Sequence, residues 1–454
     1  MTEIAEAAPL RAQPTFFGEP RALAYLAFTE VWERFSYYGM TAILVLYLSQ
    51  SLLLPGHVEH VAGFAGFRRA IEGVFGPMTT IALASQIMGL YTGFVYVTPI
   101  LGGFIADRFI GRRRAVMLGA ILMSAGQIAM AFDVSFLLAL ALLIVGCGFL
   151  KGNISTQVGG LYAEDDAAGR TRGFSIFSMG INVGAVAGPL AVGAVQKLYG
   201  WHAAFALGGA LMVIGLLTYL AGYRYLTEAA IRAHAQEGPR PVGQGKIVAV
   251  LAAVMAVTIF QSIAYYQNSN IALIWIDAKV DLNLLGRQVP VAWFNSIDPF
   301  VSIVSVPILF ALWNWQARRG GEPGEMSKIA TGAFLACLAN LLLAAGAGFG
   351  AHVPVLFPVA YDVLLGVAFL YYWPTLLALV SRAAPPALKA TLMGCVFLTL
   401  FVSNNIVGWL GRFYEPLGPM KFWALHAAIA AAGGVFAMLL AGRVNPLINA
   451  ETSR

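Results

Sequence analysis

Phe136-Leu-Leu-Ala-Leu-Ala-Leu-Leu-Ile-Val-Gly146-Cys147-Gly148-Phe-Leu150-Lys151-Gly-Asn153-Ile-Ser-Thr156-Gln-Val-Gly-Gly-Leu-Tyr162 carries a single charged side chain, Lys151. A helix rises about 1.5 Å per residue, so a run of this length crosses a hydrocarbon core about 30 Å thick. Apolar runs of similar length recur along the chain: near 24–53, 82–107, 114–132, 136–162, 173–197 and 202–226, then 247–276, 288–316, 328–348, 355–381, 390–411 and 421–442. The chain is 59% hydrophobic and only 11% charged, too few charges to cover a water-soluble surface of 454 residues. Strands of a barrel would be half as long and would alternate, so the expected class is all-α and polytopic, with twelve spans. No basic cap followed by an apolar core and a small-residue cleavage site opens the chain, so a cleaved signal peptide is not expected.

With the N-terminus placed in the cytoplasm, 19 Lys and Arg residues fall in cytoplasmic segments and seven outside. That bias predicts both termini inside, in the inner membrane, and accounts for the basic composition without nucleic acid. Thr227–Gln244 is polar and holds Gly238, Pro239 and Pro241, so it reads as a cytoplasmic linker between bundles 1–226 and 247–454, the linker itself spanning 227–246. The stretch Leu54–Thr80 is long for a connector and is expected to extend the flanking helices. Cys147, Cys337 and Cys395 lie in apolar runs without paired spacing, which suggests neither disulfides nor a metal site, and no cofactor is expected.

Ionisable residues inside spans each cost about 2.5–3.5 kcal/mol at a helix centre and call for a partner or a function. In Glu30-Val-Trp-Glu33-Arg34-Phe-Ser-Tyr37-Tyr38-Gly39, positions 30, 33, 34, 37 and 38 share one helical face. Two carboxylates one turn from a guanidinium can exchange a proton while the cation stays charged; the plainer reading is a structural ion pair. Lys151 lies mid-span beside Asn153, with glycines that permit close approach. Gly103-Phe-Ile-Ala106-Asp107-Arg108-Phe-Ile-Gly111-Arg112-Arg113-Arg114 crowds an acid and four arginines into a tight turn after the second span.

That turn resembles the signature between helices two and three of the major facilitator superfamily. The first-span stripe is similar to the first-helix signature of its proton-dependent oligopeptide transporter branch, and Phe174-Ser-Ile-Phe177-Ser178-Met-Gly-Ile-Asn182-Val-Gly184-Ala185 resembles that branch's fifth-helix motif. The resemblance implies two six-helix bundles working by alternating access, a monomer, and import of di- and tripeptides with protons. It implies proton coupling at Glu30, Glu33 and Arg34, a substrate carboxylate held by Arg34 and Lys151, pocket contacts from Tyr37, Tyr38 and Asn182, and a cytoplasmic gate at Gly103, Asp107, Arg108, Gly111 and Arg112. The residues themselves add Asn153, beside Lys151, and Gln267, Asn268 and Asp298 of the second half as further candidate substrate contacts.

The second half departs from the pattern. Where the family carries an acid on the tenth helix, five residues before a proline, Phe369 precedes Pro374; Tyr265 stands in place of the seventh-helix acid, and Thr41 in place of a frequent first-helix Arg. Ser178 replaces a tyrosine and Val396 a tryptophan. Asp298, in Trp293-Phe-Asn295-Ser-Ile-Asp298-Pro299, and Asp362, seven residues before Phe369, are the candidate replacement acids; the plainer reading of Asp298 is a cap before Pro299. Because the amino-end pocket is rebuilt, a different small anionic or zwitterionic solute with the same fold and coupling stays open as the alternative. A membrane enzyme is disfavoured, since His57, His60, His202, His234, His352 and His426 fall at span edges or in loops, near no nucleophile or metal set. No ring of charges or filter loop suggests a channel.

Overall fold

The computed structural model describes residues 15–16, 18–163, 166–226, 245–284, 286–319, 321, 323–350, 352–385 and 388–452. Its helices are α1 (Arg21–Tyr47, continued by a π turn Leu48–Leu52), α2 (Phe64–Phe75), α3 (Thr80–Ile105), α4 (Arg112–Ala129), α5 (Phe136–Gly159), α6 (Ala167–Tyr199) and α7 (Trp201–Gly222). There follow α8 (Gly245–Tyr266), α9 (Ile271–Lys279), α10 (Ile297–Arg319), α11 (Glu325–Gly346), α12 (Leu356–Ala383), α13 (Lys389–Leu410) and α14 (Tyr414–Thr452). Two-residue hairpins, β1–β2 (Thr15–Phe16 with Glu19–Pro20) and β3–β4 (Asn283–Leu284 with Arg287–Gln288), decorate the ends.

Among the described residues, nine helical stretches are apolar and long enough to cross a membrane, one of them holding both α13 and α14. The α1 helix, with its buried charges, and α4, which opens on three arginines, complete twelve crossings. Leu138, Phe310 and Leu439 point outward at 59%, 56% and 68% exposure, while Glu30, Glu33, Arg34 and Asp362 are buried. That inversion of the soluble pattern is what lipid as solvent selects.

The first six crossings pack on one another, as do the last six, and the halves meet mainly where α3 lies against α13 and α6 against the turn before α10. Small residues set these distances. A Cβ on Gly184 would stand 2.6 Å from Arg34 Cβ, and one on Gly188 2.5 Å from Phe35 O, so α1 and α6 touch backbone to backbone behind Arg34. The expected linker 227–246 lies outside the described residues except for Gly245 and Lys246, which already belong to α8.

Three expectations need correction. Leu54–Thr80 does not prolong its neighbours; it forms the separate helix α2, isolated by Gly56, Gly63 and Gly76 at φ of 92°, 78° and 84°, conformations that L side chains resist. The α2 helix buries Phe64 and Ile71 and pairs Arg68 with Glu72 at 3.0 Å on its wet face. The seventh crossing is not continuous: Gln267–Ser269 form a 3₁₀ turn and Asn270 leaves helical geometry at φ −128°, ψ −114°, as three successive short polar side chains, Asn268, Ser269 and Asn270, compete with the helical ladder. His426 is not at a span edge but fully buried within α14.

Candidate functional site

A cavity of about 470 Å³ lies between the two halves. Glu30, Arg34, Tyr38 and Thr41 of α1, Lys151 and Ser155 of α5, and Ser178 and Asn182 of α6 line its first-half wall. The opposite wall is built from Tyr265, Tyr266, Asn268, Asp298, Phe369 and Trp373. Ser178 and Asn182 remain exposed although they line the cavity, so it is open to solvent.

On the first-half side, Arg34 Nε lies 2.9 Å from Glu30 Oε1 and also contacts Glu33. These contacts are ionic without hydrogen-bond alignment, and Glu30 Oε2, Glu33 Oε1 and Arg34 Nη2 are buried with no hydrogen-bond partner. Charged groups left partly unsatisfied in a low dielectric retain strong capacity for a further ligand. The Lys151 ammonium sits 4.6 Å from the centre of the Tyr96 ring, a cation–π contact, and no carboxylate among the described residues pairs with it. Glycine spacing on α5 serves packing here: a Cβ on Gly148 would meet Thr98 at 2.9 Å.

On the second-half side, the substituted positions come together. Tyr265 and Phe369, which stand where acids were expected, stack at 5.5 Å between ring centres. The Tyr265 hydroxyl donates to Asp298 Oδ2, Asn268 Nδ2 donates to the same oxygen at 3.4 Å, and Ser302 Oγ reaches Asp298 Oδ1 at 3.5 Å. Asp298 thus belongs to a side-chain network facing the cavity rather than acting only as a cap. No cation among the described residues pairs with it.

Several expected residues lie elsewhere. Asn153 does not face the cavity: its amide donates to Phe149 O at 2.9 Å and reaches Gly102 O at 3.5 Å, tying α5 to α3. Two residues along a helix turn about 200°, so Lys151 and Asn153 cannot share a wall, whereas Ser155, one turn on, does line it. Gln267 points away into α13 and α14, while Asn268, the next residue, faces the cavity. Tyr37 lines a smaller recess of about 60 Å³ adjoining the cavity, shared with Tyr38, Thr92, Tyr96 and Asn404. Asp362 is buried and not on the wall; Gly366, one turn along α12, abuts the Asp298 carbonyl, where a Cβ would stand 2.7 Å away. Of the aromatic residues near the second-half motifs, Tyr266 and Trp373 line the cavity, and Tyr371 instead packs edge-on against Trp313 at 5.7 Å. Tyr96 and Ser302 are not singled out by the sequence pattern, since each is one of several polar residues on its helix.

At the turn between α3 and α4, Asp107 Oδ1 accepts from Arg112 Nε at 2.6 Å across Gly111, whose φ is 80°. Arg108 is exposed, and Gly103 has open space at its Cα; the glycine in tight contact is Gly102, against the Gly148 carbonyl.

The hydrogen bonds that join the halves among the described residues cluster at the cavity and toward the end away from the linker. Trp293 Nε1 donates to Leu190 O at 2.9 Å, Ser296 Oγ to Val186 O at 2.8 Å, Ser85 Oγ to Gly408 O at 3.1 Å and Thr92 Oγ1 to Asn404 Oδ1 at 2.9 Å. Farther out, Gln50 Nε2 donates to Asp277 Oδ2 at 2.7 Å and Arg412 Nη1 to Phe75 O at 2.7 Å. The structure is therefore shut at that end.

The POT family model matches residues 113–237 and 230–415. The uncharacterized transporter YclF of Bacillus subtilis strain 168 is 29% identical over 94% of this chain and 95% of its own. The di-/tripeptide transporter of Lactococcus lactis subsp. cremoris is 26% identical, covering 95% of this chain and 97% of its own. A crystal structure of a POT peptide transporter in complex with sulfate superposes with a TM-score of 0.83 at 27% identity, over 96% of this chain and 97% of that one. With a family match over most of its length and the same architecture throughout, this chain belongs to the POT family, the proton-dependent oligopeptide transporters.

Proposed function

We propose that the protein is a proton-coupled symporter that imports di- and tripeptides by alternating access, with both termini cytoplasmic in the inner membrane. The observation that carries this reading is the charge layout of the cavity: Arg34 and Lys151 on one wall, Asp298 on the other. A zwitterionic peptide presents a carboxylate at one end and an ammonium at the other, and the two walls are complementary to it. The name of the Lactococcus relative points the same way. Tyr38, Asn182 and Asn268 supply polar positions between the two ends.

Proton coupling follows from competition for Arg34. A substrate carboxylate that takes up the guanidinium leaves Glu30 or Glu33 buried without its cation, and a buried carboxylate in that position is relieved by a proton. Release of the substrate returns the cation and frees the proton, so both ligands move together. The Asp107–Arg112 turn with Gly103, Arg108 and Gly111 acts at the cytoplasmic gate, where the opposing segments must separate and rejoin in each cycle. The protein works as a monomer, each chain holding a complete cavity.

The rebuilt wall around Tyr265 and Phe369 supports a second reading, another small zwitterion or anion in place of a peptide. Uptake of a labelled dipeptide into proteoliposomes, challenged with unlabelled dipeptides and with simple carboxylates, separates the two. Dipeptides should compete at least about tenfold more effectively, since both walls are engaged rather than one. Equal competition by carboxylates that lack an amino group favours the second reading.

A further inference from the structure

We propose that His426 is a positioning residue for the outer gate: it fixes the break between α8 and α9 so that Asn270 can latch the two halves shut. The inference rests on the alternating-access reading and adds to it a device outside the substrate cavity.

Each link is in place. His426 Nδ1 donates to Phe422 O at 2.9 Å, which leaves Nε2 as an acceptor, and Gln267 Nε2 lies 3.0 Å from it. The same Gln267 amide approaches Val407 O at 3.3 Å, while its Oε1 accepts from Ile271 N at 3.4 Å, a backbone donor set loose by the break. Both ends of the unwound segment are thus tied through one buried side chain to α13 and α14. Asn270, at the end of that segment, then donates from Nδ2 to Ser85 O at 3.2 Å, across the boundary between the halves. Ser85 in turn donates to Gly408 O on α13, one residue past the Val407 carbonyl that Gln267 engages. His426, Gln267 and Ser85 have no measurable exposure, and Asn270 is 2% exposed.

The latch joins neutral groups: the Asn270 amide, the Ser85 hydroxyl and backbone carbonyls. It is also deliberately weak. Asn270 Oδ1 and both amide atoms of Gln86, beside Gly408, are buried without partners. Orphaned buried polar groups carry an uncompensated desolvation cost, which offsets the hydrogen bonds made and keeps the closed state within reach of reopening. A close glycine contact makes the approach tight: a Cβ on Gly408 would meet Gln86 Cα at 2.9 Å.

The test is uptake of a labelled dipeptide by proteoliposomes as a function of external peptide. His426→Leu removes the acceptor for Gln267, so the outward-open state should gain population: KM for external peptide should fall about threefold or more while the maximal rate drops. His426→Gln, which keeps a carbonyl acceptor, should restore both toward the unsubstituted values. Asn270→Ala should mimic His426→Leu, and the double variant should be no worse than either alone, as expected for one coupled unit. A lower maximal rate with unchanged KM and no rescue by Gln marks a merely structural histidine and overturns the proposal, as does additivity in the double variant. If His426→Leu fails to accumulate, Asn270→Ala with the Gln variant carries the same comparison. Absence of peptide uptake by the unsubstituted protein contradicts the transport reading instead.

Discussion

Replacing Arg34 with alanine should lower dipeptide uptake at subsaturating substrate by at least about a hundredfold. Removing one partner of a desolvated, hydrogen-bonded charge pair costs about 2–5 kcal/mol, and each 1.4 kcal/mol is a factor of ten. Arg34 is expected to lie well above the lower end of that range because it serves two purposes. In the proposed mechanism its guanidinium meets the substrate carboxylate, while its Nε side faces Glu30 and Glu33 and its Nη2 is buried without a hydrogen-bond partner. Without it the two glutamates are isolated in the interior and lose the competition that links proton to substrate. Arg34→Lys should recover only part of the activity, because an ammonium on a flexible stem cannot face both glutamates and a carboxylate in a fixed fork. Initial uptake rates, normalised to protein recovered as a monodisperse species, check this; retention of more than about a third of the rate in the alanine variant contradicts the assigned role.

Asp298→Asn should separate substrates by their amino end. The carboxylate accepts from Tyr265 and Asn268 on one oxygen and from Ser302 on the other, and no cation among the described residues offsets it. An approaching ammonium would complete the set, an interaction of roughly 2–3 kcal/mol for a charged hydrogen bond. The asparagine variant should therefore lose about 30-fold or more in kcat/KM for free dipeptides, while amino-acetylated analogues, already poor, change little. An amide also turns one oxygen into a donor toward groups arranged to donate, so the neighbouring Tyr265 should lose its partner or turn. Parallel loss for free and blocked substrates assigns Asp298 to packing; near-normal uptake of both removes it from the site.

The way the site was encoded explains what could be read ahead. The face bearing Glu30, Arg34 and Tyr38 follows from helical period alone, because a charged face in lipid has one place to go. Nearness in sequence is not nearness in space: Asn153 stands beside Lys151 in the chain, but the helical angle between them turns it to the Phe149 and Gly102 carbonyls. Asp362 and Phe369 do share a face, as their seven-residue spacing requires, but seven residues are also about 10 Å of rise, which carries Asp362 past the end of the cavity. Periodicity gives direction and not depth.

Contacts between distant segments were the least legible. Nothing in the local pattern links Tyr265 to Phe369, or Gln267 to His426, because those pairs are set by tertiary packing. The break after Tyr266 was foreshadowed by the run Gln267-Asn268-Ser269-Asn270, yet a hydrophobic window passes over four polar residues that sit between long apolar flanks. The α2 helix escapes the pattern for another reason: Leu54–Thr80 is expected to lengthen its neighbours, and the positive φ at Gly56, Gly63 and Gly76 that cuts it off from them leaves no mark in hydrophobicity.

The central claim, that a peptide and protons cross together through the cavity between Arg34, Lys151 and Asp298, is tested most directly in sealed vesicles carrying the purified protein. A labelled dipeptide is supplied at equal concentration on both sides, and a pH gradient, acid outside, is imposed without a membrane potential. The account predicts accumulation of the dipeptide above equilibrium, abolished by a protonophore and absent with Arg34→Ala. Dipeptide that merely equilibrates, with or without the gradient, contradicts it.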